Sequence, residues 1–189
     1  MPAHHRQLVQ RLHACLRRRT HWLLALALWH GAVQADDDAL SAAQIKVGFL
    51  YIFAVLTSWP VSVGPTLNLC IAGRDPFGAD LDVLSGKRVG ARTLGIKRVG
   101  GVDVLNDCQI LFIPAGEAAR LSRWIEAAHA APTLTIAEST GAAHRGVMLN
   151  LNLNQSQGRL TFEANLGAAR EAGLTLSARL LRLASEVLP

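Results

Sequence analysis

The chain lacks the signatures that mark familiar catalysts. There is no G-x-S-x-G, so the strand-to-helix elbow of a serine hydrolase is missing. No G-x-G-x-x-G joins a strand to a helix. Gly73–Gly78 has the glycine spacing of a phosphate loop, but Ala79 stands where the lysine belongs. Gly86-Lys87-Arg88 lacks both the upstream glycine and the following Ser/Thr. Cysteine is scarce: Cys15, Cys70 and Cys108 contain no C-x-x-C pair, which excludes a dithiol redox motif. Histidine and cysteine spacings fit no zinc site, so neither a metal nor a cofactor is expected. No apolar run reaches the roughly 20 residues that span a bilayer as a helix. No catalytic constellation is expected either.

The first 35 residues also lack something: they carry Arg6, Arg11, Arg17, Arg18 and Arg19 but no acidic residue. The eight-residue apolar run Trp22–Trp29 follows, and then Val33-Gln34-Ala35, with small residues at −3 and −1. Basic region, short apolar core and small-residue site make a secretory signal peptide. Residues 1–35 are read as that signal and 36–189 as the exported domain. Cys15 precedes the apolar core, which is the wrong side for a lipid-modified cysteine. Removing the signal leaves 19 − 5 = 14 basic residues against 14 acidic ones. The high isoelectric point therefore belongs to the signal and is no argument for nucleic-acid binding. Of seven histidines only His129 and His144 remain, and each reads as an ordinary surface residue. The exported chain of 189 − 35 = 154 residues suits one domain, with no internal repeat.

What is present is an order of elements. Ser41 to Gln44 fits a capping box, which predicts a helix from about Ala42 to Ser58, stopped by Pro60. This helix is apolar nearly all round, so it must be covered on more than one side. The domain core, or a partner, supplies that cover. Thr66–Gly73 reads as a strand, and Asp75-Pro76 as the start of a short helix to about Leu84. One or two short strands surround Gly90. Cys108–Pro114 is a continuous apolar run, typical of a strand buried on both faces. The next helix carries Leu121, Trp124, Ile125 and Ala128 on one face, ends before Pro132, and is followed by another strand. The alternation predicts an α/β domain with a largely parallel sheet and helices on both faces.

The C-terminal third alternates strictly. Val147, Leu149, Leu151 and Leu153 face one way; Met148, Asn150, Asn152 and Asn154 face the other, wet side. A turn at 155–158 returns the chain through Leu160, Phe162 and Ala164, completing a β-hairpin. Asn165 is a good N-cap and Gly173 a good residue just past a helix end. A last helix is predicted with Leu176, Leu180, Leu183 and Val187 on one face. The hairpin places Asn150, Asn152 and Glu163 together, with Arg145 and Arg159 at the ends. That set is either a solvated sheet face or a recognition face. Neutral amides beside one carboxylate suit hydrogen-bonded recognition better than acid–base chemistry. Cys70 and Cys108 fall on neighbouring predicted strands, so in an oxidising compartment they read as a disulfide, with two buried thiols as the other reading.

Together, the motifs FLYIFAVLTSWP, LNLCIAGRDPFG, CQILFIP and the ending RLTFEANLGAAREAGLTLSARLLRLA resemble the YfiR-like family of bacterial periplasmic proteins. The resemblance covers about 45–187. It implies an α/β fold, no catalysis, and a regulator that represses the periplasmic domain of an inner-membrane diguanylate cyclase. It also implies sequestration by an outer-membrane, peptidoglycan-binding lipoprotein, and a disulfide at Cys70–Cys108. The chain departs from the family pattern at Ile52, where the helix usually carries Asn, and at Ala164. Contacts to the partner are expected from Glu163 above all, with Asn150, Asn152, Asn165, Phe53 and Trp59. A homodimer would match the symmetry of a dimeric sensor. The alternative reading is a periplasmic small-molecule-binding module, with ligand near Gly73–Phe77 and Pro114–Glu117 at the strand ends.

Overall fold

The computed structural model describes residues 34–154 and 159–189. The expected signal lies outside the described residues apart from Gln34 and Ala35, and so does the expected turn at 155–158. In chain order the elements are helix α1 (Gln34–Val55), strands β1 (Thr57–Ser58) and β2 (Thr66–Ala72), and helix α2 (Ala79–Asp82). Then come β3 (Arg88–Val89), β4 (Arg92–Val99), β5 (Ile110–Ile113), α3 (Leu121–Ala128) and β6 (Leu134–Ala137). The C-terminal part holds β7 (Leu149–Asn154), β8 (Arg159–Asn165), α4 (Leu166–Glu171), β9 (Thr175–Leu176), α5 (Ala178–Leu181) and β10 (Glu186–Leu188).

Eight strands form one sheet in the order β10-β8-β7-β6-β5-β2-β4-β3. Neighbours from β4 through β2, β5 and β6 to β7 run parallel, as the α/β reading expects. The hairpin β7–β8 and the edge pair β3–β4 are antiparallel. The sheet is wound outward in both directions from β2. That puts the topological switch point between β2 and β5, at their carboxyl ends.

The period of two along each strand divides the core between the two faces of the sheet. Leu69 and Ile71 of β2, with Ile110 and Phe112 of β5, point to one side. There they meet Val47, Leu50, Phe53 and Ala54 of α1, Leu81 of α2, and Ala168 and Ala169 of α4. The rings of Phe53 and Phe162 meet edge-on at 4.9 Å, an arrangement that adds to their burial. Cys70, Ala72, Leu111 and Ile113 point to the other side, against Leu121, Trp124, Ile125 and Ala128 of α3. All four predicted residues of the α3 face are buried. Cys70 and Cys108 are joined by a disulfide beneath this second, smaller core, closing a separation of 38 residues.

Four local expectations change. Helix α1 is already formed at Gln34, so Ser41 lies inside it rather than capping it. It also ends earlier, at Val55: the Thr57 hydroxyl donates to the Phe53 carbonyl at 2.7 Å, and Thr57–Ser58 pairs with Thr175–Leu176. Asp75 accepts from the Phe77 backbone N–H at 2.7 Å, a local turn that delays α2 to Ala79. Val147 packs in the second core while Met148 joins the first, because the strict alternation begins only at Leu149.

The predicted last helix is the fourth change. It breaks into β9, the single turn α5 and β10, and Leu183 and Val187 are exposed. Ser177 caps α5 by accepting from the Leu180 N–H at 3.1 Å. Both the N–H and the hydroxyl of Ser185 then donate to the Phe162 carbonyl. That draws the chain onto the open edge of β8, where β10 satisfies backbone groups a helix would have left bare. Asn165 does cap α4, accepting from the Ala168 N–H at 2.9 Å, and Gly173 follows that helix with φ of 71°.

Candidate functional site

Facing pairs in the hairpin put Asn150 opposite Glu163 and Asn152 opposite Thr161. Residues two apart on a strand share a face, so Asn150, Asn152 and Glu163 meet there. The Asn150 amide donates to Glu163 Oε2 at 3.1 Å and to Asn152 Oδ1 at 3.1 Å. The Asn152 amide donates to Glu163 Oε1 at 2.8 Å. Both oxygens of the carboxylate are therefore held by neutral donors. Asn150 is 0% exposed, and its Oδ1 accepts from the Ser139 backbone N–H at 3.2 Å. The expected wet face is thus buried at Asn150, where the chain after β6 lies over it, while Asn152 and Glu163 remain half-buried.

The other expected contact residues are spread out. Asn165 spends its side chain on the α4 cap and on the Ala143 carbonyl, to which its amide donates at 2.9 Å. Phe53 is fully buried between Phe49 and Phe162, which corrects its expected place at an interface: its ring belongs to the core. Trp59 is half-buried and donates from its indole to the Ala54 carbonyl at 3.4 Å. Among the large apolar residues of α1 whose burial is described, Ile45, Ile52 and Val55 are exposed.

At the switch point between β2 and β5, Glu117 lies against Gly73. Gly73 has φ of 65°, and any Cβ there would collide with the Glu117 carboxylate. Glu117 accepts two bonds from Arg120 at 2.8 Å and one from the fully buried Trp124 indole at 2.9 Å. Hydrogen bonding from Arg120 holds the Glu117 carboxyl below its ordinary value, against an opposing desolvation effect; Trp124 adds to the lowering. The same pairing raises the Arg120 guanidinium. At the place expected for a ligand, Gly73–Phe77 and Pro114–Glu117, the Glu117 carboxylate thus lies over Gly73 with its charge already paired to Arg120.

A separate cleft of about 590 Å³ opens at the carboxyl ends of β5 and β6, beside the hairpin. Lys46, Glu138, Thr140, Asn152 and Thr161 line it with Leu151, Leu153 and Leu160. Lys46 and Glu138 form an ion pair with side chains 19% and 14% exposed. Glu138 Oε1 also accepts from the Ala115 N–H at 3.3 Å. Sequence reasoning missed this pair, whose members stand 92 residues apart. The one signal was Glu138-Ser139-Thr140, three polar residues directly after a buried parallel strand. Among the described residues no group of three or more His, Cys, Asp or Glu side chains is arranged to hold a metal. No described helix is long and apolar enough to cross a membrane.

Comparison with known proteins adds a family and a fold. The family described as YfiR/HmsC-like (DUF4154) matches residues 43–185. A conserved domain protein from Vibrio cholerae superposes with a TM-score of 0.51 at 13% identity, covering 77% of this chain and 60% of that one. An ABC domain from Streptococcus pneumoniae, crystallised in complex with L-Trp, gives 0.52 at 10% identity, covering 78% and 62%. At these identities the two structures share the fold alone, and this chain spans about 60% of the length of each.

Proposed function

Because the chain belongs to the YfiR/HmsC-like family, a family of periplasmic regulators of diguanylate cyclases, we propose that it binds the periplasmic domain of an inner-membrane diguanylate cyclase and holds that enzyme inactive. The observation that carries the reading is the Glu163 carboxylate. It is fixed from both oxygens by Asn150 and Asn152, two neutral donors. A carboxylate oxygen has two acceptor positions, so each keeps capacity for a donor from a partner. Orientation by a buried amide lowers the entropy lost on docking.

Repression needs only differential affinity: the regulator must bind the inactive state of the cyclase better than the active one. Shifting the balance from nearly all active to nearly all inactive takes about 5.5 kcal/mol of such preference. In the same reading, an outer-membrane, peptidoglycan-binding lipoprotein sequesters the regulator, and two copies pair to match a dimeric sensor. Export removes residues 1–35, so the first residue of the processed chain reads Asp36. The disulfide is at home in that oxidising compartment.

The test is intracellular cyclic-di-GMP in a strain deleted for the gene. The expected result is a rise in cyclic-di-GMP and in biofilm, reversed by the exported protein and not by one made without residues 1–35. Reversal by the signal-less protein, or no rise at all, contradicts the proposal.

A further inference from the structure

We propose that Lys46 of α1 is a positioning residue for Glu163: without touching that carboxylate, it fixes how the carboxylate is held, acting through Glu138, Ser139 and Asn150. The proposal rests on the reading of Glu163 as a partner contact.

The bonds run in one line. Lys46 pairs with Glu138 Oε2, and Glu138 Oε1 accepts from the Ala115 N–H. Glu138 is thereby held from two sides, by α1 and by the chain just after β5. Its own backbone N–H reaches the Ile113 carbonyl only at 3.4 Å, a long bond, so the charged side chain is the firmer tie. The next N–H along the chain, that of Ser139, donates to Asn150 Oδ1.

An amide side chain has one acceptor and two N–H donors, and turning it over exchanges them. Asn150 spends Oδ1 on Ser139 and its N–H groups on Glu163 Oε2 and Asn152 Oδ1. Turned over, it would set its oxygen against the Glu163 carboxylate and its N–H groups against the Ser139 N–H. Ser139 thus selects the orientation that donates to Glu163. The choice propagates: Asn152 Oδ1 accepts from Asn150, so the Asn152 amide turns its N–H groups to Glu163 Oε1. One backbone N–H therefore sets the donors on both carboxylate oxygens, and Lys46 with Glu138 sets that N–H. Asn150 is fully buried, so solvent does not stand in for Ser139 when the segment shifts. Removing the Lys46 cation leaves the Glu138 carboxylate poorly solvated and unpaired. The carboxylate then turns to water and draws the Ser139 N–H off Asn150.

The experiment is hydrogen exchange of the Asn150 side-chain amide, read by NMR in protein purified from the periplasm. Repression of cyclic-di-GMP is measured for the same variants in the deletion strain. Lys46→Met should speed exchange at Asn150 about tenfold relative to the Ile71 backbone N–H at the sheet centre, which a general loss of stability would not do. Lys46→Arg, which keeps the cation, should restore slow exchange. Repression should fall with Lys46→Met and return with Lys46→Arg. Lys46→Met/Glu138→Gln leaves no lone charge behind and carries the same expectations if Lys46→Met does not fold. Unchanged relative exchange at Asn150, or no rescue by Lys46→Arg, overturns the proposal. So does full repression by Lys46→Met where Glu163→Lys has lost it. Full repression by both overturns the reading of Glu163, and this proposal with it.

Discussion

Two carboxylates of this domain are held by several donors each, and they differ in what holds them. Glu117 sits over Gly73 at the switch point and is bonded by the Arg120 guanidinium and the Trp124 indole. Its charge is answered inside the chain. Glu163 is bonded by the amides of Asn150 and Asn152, which carry no charge. Those two amides leave its charge unanswered. A carboxylate paired with its own cation closes a site; one oriented by neutral donors keeps its charge for something else. The same contrast runs through the surroundings. The β2–β5 side of the sheet is stapled by Cys70–Cys108, with Cys108 just before the amino end of β5, whereas the hairpin side is joined to the rest by hydrogen bonds such as Ser139 N–H to Asn150.

The largest effect should come from the staple. Closing a separation of 38 residues is worth ~4 kcal/mol in the chain-entropy account, and removing native bridges from small secreted domains costs about 2–5 kcal/mol. Urea unfolding of the Cys70→Ala/Cys108→Ala double variant should show a loss in that range. Unchanged stability would break the claim that the β2–β5 side depends on the bridge. Next comes Asn150→Ala, which strips a fully buried Ser139 contact and both of its bonds on the hairpin face. About 1–3 kcal/mol is expected, by the cost of leaving buried polar groups unpartnered. A neutral result would mean that the hairpin end is not built on that amide.

Glu117 should report through pH. Its folded value lies below the ordinary one, so its contribution is fully present above the unfolded value. That contribution is lost as pH falls through the folded value. Stability of the wild type should therefore drop below about pH 4.5 more steeply than that of Glu117→Gln, with the two curves converging in acid. Parallel curves would remove Glu117 from the account of the closed site. The smallest stability effect should be Glu163→Gln, about 1 kcal/mol or less, since one oxygen still accepts from an amide. A larger loss would make Glu163 structural, like Glu117, and the contrast between the two would disappear.

The legible parts of the fold were those decided locally. Ile110–Ile113 reads as a two-sided strand because every residue in it is apolar, and all four are buried. Leu121, Trp124, Ile125 and Ala128 reveal their helix face by spacing alone. The Cys70–Cys108 pairing followed from two strands being neighbours in the sheet. The end of α1 was not legible, because what stops it is pairing with Thr175–Leu176, far along the chain. The last helix failed for a related reason: the pattern of leucines is helical, but the open edge of β8 captures Ser185 and the residues after it. In the candidate site, alternation brought Asn150, Asn152 and Glu163 together correctly. It did not show that the segment after β6 covers Asn150, since a period of two names a face and not what lies upon it. Phe53 and the Lys46–Glu138 pair escaped similarly, being set by packing between elements.

The most direct test of the central contrast is cyclic-di-GMP in the deletion strain complemented with exported Glu163→Lys or Glu117→Gln, each checked for folded protein in the periplasm. Repression should be lost with Glu163→Lys and kept with Glu117→Gln. Normal repression by folded Glu163→Lys would contradict the account, because the charge left open on the hairpin would then have no role in the brake.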